Sequence, residues 1–322
     1  MRQALKWAGA LVFVTVAPLA SAQAYPSKFI KLVNPYAAGG PFDLVAREVA
    51  KPLADVLGQQ IVIENRPGGG GVVAAQAARQ SAPDGYTILQ ADAAAFAINV
   101  TLIPDLPYDP VNDFTPIMMT WSFPSLLLVP ASLPAKSAAE LFDLSKKKPN
   151  GLTYASSGVG SGGHLLGTML ANSLGVAMTH APYKGAGQAM PDVASGRVDY
   201  MYASLGSARQ YLEAKSVRVL AVTSKQRMPE LPDVPTMTEV GHPSVFLDIW
   251  LGLVGPPKMP PEIVKTLHTQ IDKVLKMPEV VKRLAGLGLY VNTNTPEQFR
   301  EMIKSDIARL GRIVKEANIK RE

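Results

Sequence analysis

The 322-residue chain contains no cysteine. That removes disulfides, thiolate metal sites, thiol nucleophiles and a lipid-bearing cysteine anchor, so an exported form must rest on its packed core alone. Long apolar runs are equally scarce. Beyond the first two dozen residues no stretch is long and apolar enough to cross a bilayer, and no membrane span is expected there. Histidine is limited to His164, His180, His242 and His268, which lack metal-ligand spacing, and no H-E-x-x-H set occurs. No metal and no cofactor is expected. Charge is low too: the formal +6 falls to +4 without Arg2 and Lys6, leaving 30 basic against 26 acidic residues. The basic residues are dispersed apart from Lys146-Lys147-Lys148, which fits a solvated loop, so nucleic acid is not an expected partner.

What is present begins with a targeting pattern. Arg2 and Lys6 form a basic start, residues 8–20 an apolar segment too short for a bilayer, and Ala20-Ser21-Ala22 a small-x-small cleavage site. Residues 1–22 are therefore expected to be a secretory signal peptide, with Ala22-Gln23-Ala24 an alternative cut. The remainder alternates strand and helix patterns, which predicts an α/β fold with mostly parallel sheets. A strand is expected at 30–34, a helix at 44–57 with Leu44, Val45, Val49, Leu53, Val56 and Leu57 on its inner side and interrupted by Pro52, a strand at 60–64, a helix at 72–81 and a strand at 86–90. A second series lies at 153–156, 165–174, 178–181, 198–202, 208–214 and 217–222. The C-terminal part reads as helical, and Thr295-Pro296-Glu297-Gln298 is a capping box opening a helix that runs to about Ala317.

Two apolar segments, 114–129 and 246–254, break this alternation and read as crossovers between two lobes. Residues 23–124 with 246–322 form the first lobe and 125–245 the second, which predicts a hinge and a ligand cleft between strand ends. Trp121 and Trp250 fall in the crossovers and are expected to pack there and to report lobe movement.

The chemistry concentrates in two glycine-rich turns, each between a strand and a helix. In Pro35-Tyr36-Ala37-Ala38-Gly39-Gly40-Pro41-Phe42-Asp43, Gly39 and Gly40 permit close backbone approach, and Asp43 is either a helix cap or a ligand contact. In Ser156-Ser157-Gly158-Val159-Gly160-Ser161-Gly162-Gly163-His164, hydroxyls of Ser157 and Ser161 join free N–H groups at a helix N-terminus, a chemistry suited to an anion. His164 is either a structural group or a switch. The Gly158-x-Gly160-x-x-Gly163 spacing also fits a dinucleotide loop, but His180 to Gly185 holds no acidic residue for the ribose. Gly68 to Gly71 lacks a P-loop's Gly-Lys-Ser/Thr, and Val159 breaks a G-x-S-x-G elbow at Ser161.

The segments YPSKFIKLVNPYAAGGPFDLVAREVAKPL, LGQQIVIENRPG, APDGYT, SSGVGSGGHL, APYKGAGQAM, GRVDYMY, VRVLAVTS and LPDVPTMTEVG come in this order across nearly the whole chain after the signal. In them the chain resembles the tripartite tricarboxylate transporter receptors, the Bug or TctC family of periplasmic solute-binding proteins. The resemblance implies a two-lobed receptor, a monomer in the periplasm, that closes on a small organic carboxylate and presents it to large and small membrane subunits. It implies that the Tyr36–Asp43 turn forms one jaw, reaching ligand through water, and that the Ser156–His164 turn grips the proximal carboxylate.

Tyr183-Lys184-Gly185 matches a motif that the family keeps beside its pocket, with Lys184 either a cation for a second carboxylate or a solvated lysine. At Tyr202-Ala203-Ser204, Ala203 replaces an acid common in relatives, and Asp92 stands where relatives carry Gly-Thr. Tyr-Ala-Ala in place of a Phe-Pro-Pro type stretch predicts an adaptable first jaw. Expected ligand contacts are thus Tyr36, Gly39, Gly40, Asp43, Asp92, Ser156, Ser157, Gly158, Gly160, Ser161, His164, Tyr183, Lys184, Ala203 and Ser204. No catalytic residue is expected. The competing readings are an exported hydrolase using Ser161 and His164, and a receptor feeding a sensor kinase.

Overall fold

The structure, a computed structural model, describes residues 25–38, 41–148, 151–247, 249–316 and 319. The expected signal segment and the glycines Gly39 and Gly40 lie outside them. Among the described residues no helix is long and apolar enough to cross a membrane.

The chain runs β1 (Ile30–Asn34), α1 (Pro41–Leu57), β2 (Ile61–Asn65), α2 (Val72–Arg79) and β3 (Thr87–Asp92). A π-helical stretch, Ala94–Ile98, then leads into α3 (Asn99–Leu102), followed by β4 (Thr115–Phe123). Next come β5 (Leu126–Pro130), α4 (Ala138–Lys147), β6 (Thr153–Ser156), α5 (Gly162–Leu174), β7 (Thr179–Pro182), α6 (Ala186–Ala194), β8 (Tyr200–Ala203), α7 (Leu205–Glu213) and β9 (Val217–Val222). The chain ends with β10 (Ile249–Gly255), α8 (Pro261–Leu275), α9 (Pro278–Gly286), β11 (Tyr290–Val291) and α10 (Pro296–Glu316).

Two sheets result. One has the order β11-β4-β10-β3-β1-β2, the other β7-β6-β8-β5-β9. In each, three neighbouring strands are parallel (β2, β1 and β3; β7, β6 and β8) and return strands run against them. Parallel strands need helical crossovers, and these cover both faces. On β3 the alternation is visible: Ile88 joins the cluster of Ile30, Val45, Val49 and Leu267, whereas Leu89 joins that of Phe96, Phe299 and Leu310. Burying each such side chain contributes roughly 1.5–3 kcal/mol.

The chain passes between the sheets twice, from β4 to β5 and from β9 to β10. The crossovers are narrower than the apolar segments suggest, because β4, β5 and β10 are sheet strands. The two passes are tied together. Ser125 N–H donates to Thr223 Oγ1 at 2.8 Å, and Thr223 N–H donates to the Ser125 carbonyl at 3.0 Å. Trp250 lies in the body of its sheet, 1% exposed, donating from Nε1 to Asp306 at 2.7 Å and meeting Phe299 edge-on. Trp121 is buried two residues before Phe123.

Three local expectations change. α1 runs through Pro52, because the buried stripe Val45, Ala46, Val49 and Leu53 outweighs the ~3 kcal/mol of a helix proline. Leu44, expected on its inner side, is 49% exposed. Lys146 and Lys147 form the last turn of α4, where cations suit the helix dipole, and Lys148 pairs with Asp199 at 2.8 Å. They are solvated, as expected, but they are not a loop.

Candidate functional site

The C-terminal ends of the parallel strands place the loops that matter. In the second lobe, β6, β7 and β8 each lead directly into a helix, so the N-termini of α5, α6 and α7 gather at one rim. The loop after β6 is organised from beneath. Ser156, fully buried at the strand end, donates from Oγ to the Gly158 carbonyl (2.9 Å), accepts Gly158 N–H (3.1 Å) and lies 2.7 Å from His180 Nε2. Ser161 caps α5, accepting His164 N–H, and its own hydroxyl donates to the Gly158 carbonyl at 2.7 Å. Gly160 N–H donates to His164 Nδ1 at 3.1 Å. The imidazoles of His164 and His180 stack at 3.8 Å with 10° between planes, and Tyr154 stacks on His180 at 4.9 Å. Burial, and secondarily the neighbouring His180, pulls His164 down to about 4; burial also lowers His180. Both rings are therefore neutral supports at neutral pH.

This accounting leaves the backbone as the binding surface. Among the described residues the N–H groups of Ser157, Val159, Gly162 and Gly163 have no protein partner, and they stand at the positive end of α5. Such an arrangement binds an anion without a cationic side chain. Of the predicted contacts, Ser157 is exposed with its hydroxyl unengaged. Ser156 and Ser161 engage their hydroxyls within the loop, and His164 does so through Nδ1. Gly158 and Gly160 carry positive φ of 134° and 76°. Gly160 also abuts the first lobe: a Cβ there would come within 2.4 Å of Leu102 Cδ1, and one on Gly162 within 2.6 Å of Ile249 Cδ1. The rest of the rim is Tyr183, whose hydroxyl donates to Asp192 at 2.8 Å, exposed Lys184, buried Ala203 and Ser204, which caps α7.

The first lobe presents Tyr36. Its N–H donates to Asn34 Oδ1 (3.2 Å), its carbonyl accepts from Asn65 Nδ2 (3.0 Å), its ring stacks on Phe42 at 4.4 Å, and its hydroxyl donates to Asp92. Tyr36, within the jaw expected to be adaptable, is itself anchored at four points. Asp92, 3% exposed at the end of β3, also accepts Ala95 N–H at 2.8 Å, so it caps the helical stretch that ends at Leu102. Burial raises its pKa, and the bonds from Tyr36, Ala95 and Ala94 oppose that rise. Asp43, 1% exposed, takes Asn65 Nδ2 at 2.9 Å and a bidentate Arg47. Asn65, Phe42 and His180 escaped the sequence reading. For Asn65 and His180 the available signal was a polar side chain at or near a strand's cleft end.

An open groove of about 660 Å³ runs beside the rim between α6 and α7, lined by Gly185, Gln188, Ser207, Arg209 and Glu213. None of these is a buried polar group, so the cleft loops are the better ligand site. Among the described residues no group of His, Asp and Glu is arranged to hold a metal.

Two α/β lobes, two crossovers and a loop of unpartnered N–H groups at their junction are the features of a solute receptor of the periplasmic-binding type. The chain belongs to the tripartite tricarboxylate transporter receptor family, whose sequence profile matches residues 45–319. It is 33% identical to protein BugT of Bordetella pertussis strain Tohama I over 313 residues, 96% of each chain. Among solved structures it is similar to Rhodopseudomonas palustris Rpa4515 with adipate (TM-score 0.85, 34% identity, covering 92% of this chain and 99% of that one). It is likewise similar to MatC from that organism with bound malate (TM-score 0.80, 33% identity, covering 90% and 100%).

Proposed function

We propose that this chain is a periplasmic receptor, not an enzyme, that encloses a small organic carboxylate between residues 23–124 with 246–322 and residues 125–245. The observation that carries this reading is the set of N–H groups at Ser157, Val159, Gly162 and Gly163, unpartnered among the described residues, on a loop braced by Ser161 Oγ and His164 Nδ1. The adipate and malate named for the related structures support a carboxylate. Family membership supports export, a monomeric receptor and delivery to large and small membrane subunits. The hydrolase reading loses its geometry, because Ser161 Oγ bonds to the Gly158 carbonyl and His164 Nδ1 faces Gly160 N–H.

The test is a thermal-shift and calorimetric screen of carboxylates. A 1:1 complex that raises Tm and returns the ligand unaltered is expected, because a ligand bound only by the folded state stabilises it by mass action. Ester hydrolysis abolished in Ser161→Ala would instead establish the enzyme.

A further inference from the structure

Beside the hinge the two lobes meet along a seam that includes one end of the cleft rim. α7 starts at that rim, capped by Ser204, and its first turn lies against the α9–β11 loop of the first lobe. The fit is close. A Cβ on Gly288, whose φ is 74°, would come within 2.7 Å of Leu205 Cβ, and one on Gly206 within 3.4 Å of the Leu287 carbonyl. Tyr290 continues the seam. It pairs with Ser122 in the first sheet, next to the pass at 123–126, yet it packs against the second lobe's cluster that includes Leu126, Leu205 and Val222. Its hydroxyl donates to Glu230 at 2.6 Å.

Arg209, one turn further along α7, reaches out of its own lobe. Its guanidinium donates to the carbonyl of Gly286, the last residue of α9. Among the described residues no backbone N–H takes that oxygen, and it stands at the negative end of the α9 dipole, a place that suits a cation. Glu213, four residues on along α7 and spaced for an ion pair within the helix, is bypassed. Arg209 is exposed, so this bond can break and re-form without unfolding either lobe.

We propose that Arg209 is a positioning residue for ligand retention: with the Gly286 carbonyl it latches α7 to α9 and holds the two lobes closed. The inference deepens the carboxylate-clamp reading and rests on it. A latch of this kind belongs to the closed arrangement and not to any one ligand. Its loss therefore weakens every enclosed acid by the same factor, whereas loss of a ligand contact would discriminate among them.

The test uses the full mature chain with Arg209→Lys, Arg209→Ala and Arg209→Glu. Calorimetry gives Kd for adipate and for malate, and small-angle X-ray scattering gives the radius of gyration of each free protein. Arg209→Ala is expected to weaken both acids by one common factor of about three to ten, the size of one hydrogen bond, and to enlarge the free protein. Arg209→Glu, which sets a negative charge against the α9 C-terminus, should do more of both. Arg209→Lys keeps a donor and a cation and should restore much of the loss. Thermal melts report that each variant folds, and a merely structural Arg209 would lower Tm while leaving Kd in place. Unchanged affinities in Arg209→Glu overturn the latch. So do unequal factors for the two acids, which would make Arg209 a ligand contact. If neither acid binds the parent chain, that result counts against the proposed ligands, and scattering alone judges the latch: a radius that grows from Lys to Ala to Glu supports it, and a constant one overturns it.

Discussion

Protonating His164 on Nδ1 would leave two hydrogens, its own and that of Gly160 N–H, pointing at each other across 3.1 Å. Burial, and secondarily the stacked His180, holds His164 at about 4 instead of its ordinary 6.5, which keeps the ring an acceptor for that N–H. An unfolded chain takes up the proton near 6.5, so between about 6.5 and about 4 the unfolded state binds more protons. Stability contributed by this pair is therefore present above 6.5 and falls as pH drops through that window. Tm measured against pH should show the decline. His164→Asn, whose Oδ1 can accept the same N–H, is expected to flatten it. An unchanged slope in that variant would assign the acid sensitivity to other groups. At this scale the sequence says little: Ser156, Ser161 and His164 look like ligand contacts, and only three-dimensional accounting shows that the two hydroxyls and the imidazole Nδ1 also bond within the loop.

The elements were far more legible. The capping box is one case: Thr295 Oγ1 accepts Gln298 N–H and Gln298 Oε1 accepts Thr295 N–H, at 3.2 and 3.0 Å. Thr295→Ala should cost about 1 kcal/mol, readable as a lower denaturant midpoint. The strand–helix alternation was equally plain, because strands buried on both faces make short apolar runs and each ends in a turn. What stayed hidden was the helical stretch 94–102, whose Ala-Ala-Phe-Ala-Ile run carries no polar face to set a period, and α4, whose lysines suggested a loop. Close packing between elements was hidden as well. Gly167 on α5 faces Tyr154 on β6 so tightly that a Cβ would lie 2.2 Å from the ring. Gly167→Ala is expected to destabilise by about 1–3 kcal/mol, measured by urea unfolding, because a rigid ring already stacked on His180 cannot yield.

Across the whole molecule, motion must pass through residues 123–126 and 223–248. The Ser125–Thr223 pair binds these passes to each other, so they should flex as one ribbon. Thr223→Val keeps the shape but orphans the buried Ser125 N–H, with an expected cost of about 1–3 kcal/mol; Thr223→Ser should restore stability. Thermal melts of the two variants distinguish that tie from mere proximity. The tryptophans, foreseen as reporters of lobe movement, are instead packed into the first lobe's sheet, Trp250 clamped by Asp306 and Phe299. A label on exposed Lys184 would follow the cleft better. The sheet order has one more consequence, and it concerns time. β10 sits between β3 and β4, yet it is made some 150 residues after β3. While the chain is being synthesised or threaded, β3 and β4 wait with open edges and the contiguous second sheet can finish first. A chain stopped before residue 249 therefore holds one complete lobe and one with a gap at its centre, a product destined for proteases or aggregates.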